Sequence, residues 1–131
     1  MQNHPYHDLI VWKEAYAFVL DVYEATKRFP STEKFGVTSQ LQRAAVSIIL
    51  NIAEGQGKQG PKDFLRFCDI ARGSLRESSV LLELSRDLQY IDSEQYKRLD
   101  GRLRQAGYLL SKLMLHLKSK PVTAVRTKTS S

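Results

Sequence analysis

Ser39-Gln40-Leu41-Gln42-Arg43-Ala44-Ala45-Val46-Ser47-Ile48-Ile49-Leu50-Asn51-Ile52-Ala53-Glu54-Gly55 is the stretch on which the fold turns. Its only charges are Arg43 and Glu54, and apolar residues occupy nearly every direction around a helix. A helix that is apolar almost all round has to be buried on most of its sides. Spanning a bilayer takes about 20 apolar residues in a row, and Gln42, Arg43, Ser47 and Asn51 interrupt this run. The segment is therefore expected as the inner helix of a helical domain. It should open near Thr38 or Ser39, where Ser39 and Gln42 have capping-box spacing, and close at the glycine-punctuated Gly55-Gln56-Gly57-Lys58-Gln59-Gly60.

Working outward, the preceding helix is expected from Asp8 to Arg28, stopped by Pro30. It carries two interleaved apolar seams. One is Leu9, Trp12, Tyr16, Val19, Tyr23 and Thr26; the other is Val11, Ala15, Phe18, Val22, Ala25 and Phe29. Together they fill an arc of roughly 200°, about twice the stripe that one bundle contact requires. After the glycine loop, Pro61 suits the first position of a third helix, with a seam of Phe64, Phe67, Cys68, Ala71, Leu75, Ser78, Leu82 and Ser85. Asp92, with Gln95 three residues on, should cap a fourth helix whose seam is Tyr96, Leu99, Leu103, Ala106, Leu110, Leu113 and Leu117. No strand pattern occurs. The expected fold is all-α, an antiparallel up-and-down four-helix bundle over residues 8–118, between a short N-terminal segment (1–7) and a disordered basic tail (119–131).

The surplus apolar face of the first helix and the nearly all-apolar second helix would leave a large exposed patch on a monomer. A homo-oligomer is therefore expected. Trp12, Phe18, Val22, Asn51, Glu54 and Glu77 are the candidates for its interface or for a polar network fixing its register. Arg43 and Glu54 lie three turns apart on one face. If buried they need partners, for which Glu77, Arg72 and Arg76 are placed on the third helix.

The chain of 131 residues has a formal charge of +6. Four of its cations, Lys118, Lys120, Arg126 and Lys128, fall at the C-terminal end, so the bundle itself is only slightly basic. That tail reads either as a solubilising segment or cloning remnant, or as a weak phosphate binder. The candidate nucleic-acid-binding residues are Arg43, Lys62, Arg66, Arg72, Arg76, Lys97, Arg98, Arg102, Arg104 and Lys112, interleaved with Asp63, Asp69, Glu77 and Asp100. Cys68, the sole cysteine, sits on an apolar helical face and reads as core in a reducing cytoplasm. His4, His7 and His116 lack metal-ligand spacing, and Gly55-x-Gly57-x-x-Gly60 lacks the preceding strand of a phosphate loop. No catalytic constellation, metal site, cofactor motif or membrane segment is expected.

Asp8-Leu9-Ile10-Val11-Trp12-Lys13, Phe35-Gly36-Val37-Thr38-Ser39-Gln40-Leu41-Gln42-Arg43-Ala44-Ala45-Val46-Ser47-Ile48 and Asn51-Ile52-Ala53-Glu54-Gly55 resemble the proteins encoded in 23S rRNA intervening sequences. Phe64-Leu65, Ala71-Arg72-Gly73-Ser74 and Glu77 extend the likeness, which runs from about Asp8 to Leu117. The resemblance implies a bacterial four-helix bundle assembling as a barrel-like homopentamer. It also implies kinship with the accessory variability determinants of diversity-generating retroelements, which bind nucleic acid and a reverse transcriptase. The likeness breaks at Ile49, where a proline is usual, and at Gln42, where a second basic residue is common. The function expected is that of a non-catalytic accessory protein binding structured RNA or RNA–DNA. The alternative is a protein-binding scaffold, for example for a polymerase, with no direct role in nucleic-acid binding.

Overall fold

The computed structural model describes residues 4–120. A 3₁₀ turn, Pro5–Asp8, leads into α1 (Ile10–Thr26). A connection containing a second 3₁₀ turn, Ser31–Glu33, joins it to α2 (Val37–Gln56), followed by α3 (Pro61–Asp87) and α4 (Ser93–Lys118). Each helix packs on two neighbours, in the cyclic order α1–α2–α3–α4, with α1 and α4 closing the square. Connections this short force consecutive packed helices to run antiparallel, so the bundle is up-and-down as the apolar seams imply. Among the described residues there is no strand, and no helix is long and apolar enough to cross a membrane.

The core is built from one seam of each helix. Phe18 and Val22 of α1, Ile48 and Ile52 of α2, Cys68 and Leu82 of α3, and Leu99 of α4 are wholly enclosed. Burying side chains of this size contributes about 1.5–3 kcal/mol each. The α2–α3 contact is made with small residues. Gly55, the last buried residue of α2, lies where an added Cβ would stand 2.8 Å from Cβ of Phe67 and 3.2 Å from the backbone oxygen of Phe64.

The helix ends show where sequence spacing is and is not sufficient. Pro61 and Asp92 act as expected: Asp92 Oδ1 accepts from the Gln95 N–H at 2.8 Å, and the Asp92 N–H donates to Gln95 Oε1 at 3.1 Å. Asp8 belongs to the 3₁₀ turn and not to α1, which begins two residues later. The second helix starts at Val37, before both Thr38 and Ser39, and Ser39 makes no cap. Its first turn is served by a residue from the loop, since the Val37 N–H donates to Glu33 Oε1 at 3.3 Å. Glu33 is itself held by Tyr90, whose hydroxyl donates to Oε2 at 2.6 Å, while the Tyr90 ring lies 5.3 Å from that of Phe29. Tyr90 reaches this place because Gln89 takes a left-handed conformation (φ 64°) at the end of α3, a position that favours glycine. The α1–α2 and α3–α4 connections are thereby clasped at one end of the bundle. Of the expected tail (119–131), Ser119 caps the end of α4 and Lys120 follows it, while residues 121–131 lie outside the described residues.

Two outcomes follow from this packing. Gly55→Ala gains helix propensity of about 1 kcal/mol but must push Phe64 and Phe67 off α2, at a cost of about 1–3 kcal/mol. Gly101→Ala meets no atom within 4 Å and should stabilise by about 0.5–1 kcal/mol. Urea unfolding should move the two midpoints in opposite directions; a Gly55→Ala midpoint above the parent's would refute the close contact. The second outcome concerns acid. The Tyr90 hydroxyl first, then the Val37 N–H, hold the Glu33 carboxyl below its ordinary 4.5. The stabilisation is complete above that unfolded-chain value and is lost as pH falls through the lowered one. Tyr90→Phe should flatten the acid limb of a stability–pH curve, and an unaltered limb would remove the clasp from the account.

Candidate nucleic-acid interface

The ten candidate cations separate into groups once the helices are in place. Arg72 and Arg76, one turn apart on α3, face Arg104 of α4 across a groove of about 400 Å³. Leu75 and Leu103 floor it, Ser79 and Ser111 line it, and Gly107, which carries no side chain, leaves it open. Arg104 Nε donates to Asp100 Oδ2 at 2.7 Å, and Arg72 is held by Asp69 at the same distance. Arg76 has no ion-pair partner among the described residues. Three guanidinium groups with two carboxylates leave the groove cationic, with hydroxyl groups beside them suited to phosphate oxygens.

Other candidates point elsewhere. Arg102 is a correction: it turns towards α1, with Nε 2.9 Å from Asp21 Oδ2 and Nη1 3.5 Å from Glu14 Oε2. Two carboxylates around one half-buried guanidinium make a structural tie between α1 and α4, with no cation to spare for phosphate. Arg66 lies over the Phe67 ring at 4.7 Å with Asp63 at 4.0 Å, and Lys112 stands over Tyr108 at 5.5 Å. Lys62, Lys97 and Arg98 are exposed, at the start of α3 and the start of α4, which are opposite ends of the bundle.

A second groove, between α2 and α3, is lined by Gln40, Arg43, Ala44, Ser47, Ser74 and Glu77. Ser74 Oγ donates to Ser47 Oγ at 2.8 Å, and Asn51 Nδ2 donates to the Ser47 carbonyl at 2.8 Å. Asn51 Nδ2 also approaches Ser47 Oγ at 3.1 Å, so Asn51 backs the Ser47–Ser74 contact from within α2. Arg43 and Glu54 differ from expectation in being exposed, because the small residues of α2 let its neighbours cover its flanks while its outermost strip stays open. Glu54 meets Lys58 at 3.2 Å, whereas Arg43 and Glu77 share the groove without an ion pair. Arg72 and Arg76 sit on the α4 side of α3 and do not reach Glu54.

The interface candidates on α1 also divide. Phe18 and Val22 lie wholly inside the chain's own core and present no surface to a partner. Trp12 is half-buried, its Nε1 donating to the Ile49 carbonyl at 3.2 Å. The open apolar face lies beside them: Tyr23 of α1 is exposed next to Leu50 of α2, which is 62% exposed, with Val46 between, and Leu20 is exposed one turn before Tyr23 on α1. Gln42, where a basic residue would otherwise be common, donates to Thr26 Oγ1 at 2.9 Å and binds α2 to α1. Cys68 is enclosed, and burial pushes its thiol up to about 11, far from nucleophilic. No cluster of three His, Cys, Asp or Glu groups able to hold a metal occurs among the described residues.

Sequence reasoning missed Ser79, Gly107 and Ser111, which have no motif and matter only because α3 and α4 pair at that height. It also missed Leu20, which falls on neither α1 seam.

Among known proteins, the family described as 23S rRNA-intervening sequence protein matches residues 7–112. A crystal structure of a protein of unknown function from the S23 ribosomal protein family of Bacteroides thetaiotaomicron superposes with a TM-score of 0.72 at 25% identity. The match covers 80% of this chain and 98% of that one. No curated protein matches. Residues 7–112 take in nearly all of the bundle, the arginine groove and the open α1–α2 face included: the chain belongs to the 23S rRNA-intervening sequence protein family.

Proposed function

We propose that this protein is a non-catalytic accessory factor that binds structured RNA, or an RNA–DNA hybrid, as a homo-oligomer. The observation that carries the reading is the convergence of Arg72, Arg76 and Arg104 on one open groove, with Arg76 unpaired among the described residues. Phosphates of a folded RNA strand enter between α3 and α4, and the arginines hold them while the serine hydroxyls complete the hydrogen bonds. Self-association uses the α1–α2 face, where Leu20, Tyr23 and Leu50 stand exposed. In the cyclic order of the helices that face is opposite the groove, so assembly leaves every groove open. A ring of copies, pentameric as the family likeness implies, then turns a modest groove into a repeated cationic surface with multivalent affinity.

A protein-scaffold reading has its own observation. Phe35 is 89% exposed at a loop tip, and Val80, Leu84 and Leu88 follow one another along the outer face of α3. Such anchors suit a polypeptide partner.

Titration of the full-length chain with an RNA hairpin across salt concentrations tests the first reading. Affinity should fall steeply with salt, and Arg76→Ala and Arg104→Ala should each lower the salt slope by about one. An unchanged slope would shift the phosphate contacts away from the groove, and absence of hairpin binding would leave the scaffold as the better account. Self-association is tested separately by sedimentation. Leu50→Glu, at an exposed site, should leave helicity intact and dissociate the assembly, whereas an unaltered sedimentation coefficient would exclude the α1–α2 face.

A further inference from the structure

Five aromatic rings form a continuous ladder at one end of the bundle, outside the arginine groove. His4 stacks on Tyr6 at 5.3 Å with the rings 4° apart. Tyr6 lies 4.6 Å from His7 and 4.9 Å from Trp12, and His7 meets Trp12 edge-on at 5.2 Å. Trp12 in turn stacks on Tyr16 at 4.9 Å and 20°. The ladder is fixed at its middle and at its base. The Trp12 indole donates to the Ile49 carbonyl, and the His4 N–H donates to Nδ1 of His7 at 3.0 Å. The series continues into solvent at both ends, with His4 exposed and Tyr16 42% exposed.

The surroundings carry a net cationic charge. The start of α1, the end of α2, the start of α3 and the end of α4 meet at this end of the bundle. They bring Lys13, Lys58, Lys62, Arg66, Lys118 and Lys120 there against Asp8, Glu14, Glu54 and Asp63. Lys58 pairs with Glu54 at 3.2 Å and Arg66 with Asp63 at 4.0 Å, which leaves Lys62, Lys118 and Lys120 as the cationic excess. The 3₁₀ turn that carries the ladder packs on both α1 and α2. Rigid aromatic rings with open outer faces, set among cations that exceed the local carboxylates, are what an unpaired nucleotide strand recognises. Every base has a face to stack, and its phosphates need only a loosely matched positive field.

We propose that this end of the bundle is a second site, for single-stranded nucleic acid, in which bases stack on the outer faces of the ladder at Tyr16 and His4 while the strand's phosphates follow the cations of the α2–α3 corner and the end of α4. The proposal rests on the nucleic-acid reading above and extends it. The groove takes the phosphates of folded RNA, and the ladder takes an unpaired end or loop of the same molecule. The site is sequence-tolerant, because stacking without base-edge hydrogen bonds does not discriminate strongly among bases.

Trp12 is the only tryptophan of the chain and sits inside the ladder, so its emission reports on the site directly. The full-length protein is titrated with an oligothymidylate of about ten nucleotides, within the usual span of such sites. Saturable quenching of Trp12 is expected. Tyr16→Ala should weaken the affinity about tenfold without loss of helicity, as expected for one stacked base. Tyr6→Ala should do the same, and circular dichroism together with an unshifted unfolding midpoint separates lost stacking from a detached turn. Arg76→Ala with Arg104→Ala should weaken the RNA hairpin and leave oligothymidylate quenching intact. Hairpin binding with no oligothymidylate binding would overturn the ladder site and spare the groove. Oligothymidylate binding with unchanged Trp12 emission, or equal affinity in Tyr16→Ala and the parent, would also overturn it. Failure of both ligands would overturn both readings.

Discussion

The rest of the structure depends on the way α2 is covered. A helix with only Arg43 and Glu54 charged between Ser39 and Gly55 cannot stand in water, and where Ala44, Ala45, Ser47, Ala53 and Gly55 lie along it short side chains cannot fill the space around it. Its neighbours must come close instead. α3 approaches along Ala44, Ser47 and Gly55, near enough that the two serines Ser47 and Ser74 bond directly at 2.8 Å. α1 approaches from the other flank, where Trp12 and Thr26 meet the Ile49 carbonyl and Gln42. Close approach on both flanks leaves one narrow strip of α2 outward, and that strip holds Arg43, Leu50 and Glu54. The exposed charges and the exposed leucine are thus a by-product of the same geometry that buries Ile48 and Ile52.

Periodicity identified all four helices, because each has a seam of at least four apolar residues at helical spacing and a breaker at its ends. Asp92 with Gln95, and Pro61, fixed two starts because those signals act within a single turn. The start of α2 was not legible for the opposite reason. Its N-terminal N–H of Val37 is served by Glu33, four residues upstream and held in place by Tyr90, fifty-seven residues away. Spacing alone also could not rank the two seams of α1. Both are apolar, and only the positions of α2 and α4 decide that Phe18 and Val22 face inward while Tyr16 and Tyr23 face out. The excess of apolar surface was readable; its address was not.

The same limit governed the site. A list of cations interleaved with acids describes any solvated helix, and sequence cannot say which acid neutralises which base. Arg102 and Arg104 are two residues apart, so they point in different directions around α4. Arg102 is drawn to Asp21 and Glu14 on one neighbour; Arg104 turns to the opposite neighbour and joins Arg72 and Arg76. A difference of about 200° around one helix separates an internal tie from a groove wall.

The formal charge of +6 is therefore a poor measure of what this surface offers a polyanion. Exposed ion pairs such as Lys27 with Glu24 contribute little to stability, and their fields cancel within a Debye length. What remains uncancelled among the described residues is local: Arg76 between two paired arginines on the α3–α4 edge, and Lys62, Lys118 and Lys120 at the end of the bundle where the aromatic ladder stands. These two places differ in shape as well as in position. A groove with opposed guanidinium groups fits a backbone whose phosphates are held at fixed spacing by base pairing, whereas a ladder of rings fits bases that pairing has not claimed. Folded RNA presents both features within a single molecule, duplex beside loop. The two sites proposed, a charged groove along one edge and a stacking surface at one end, together correspond to that combination, whereas a uniform duplex would engage the groove alone.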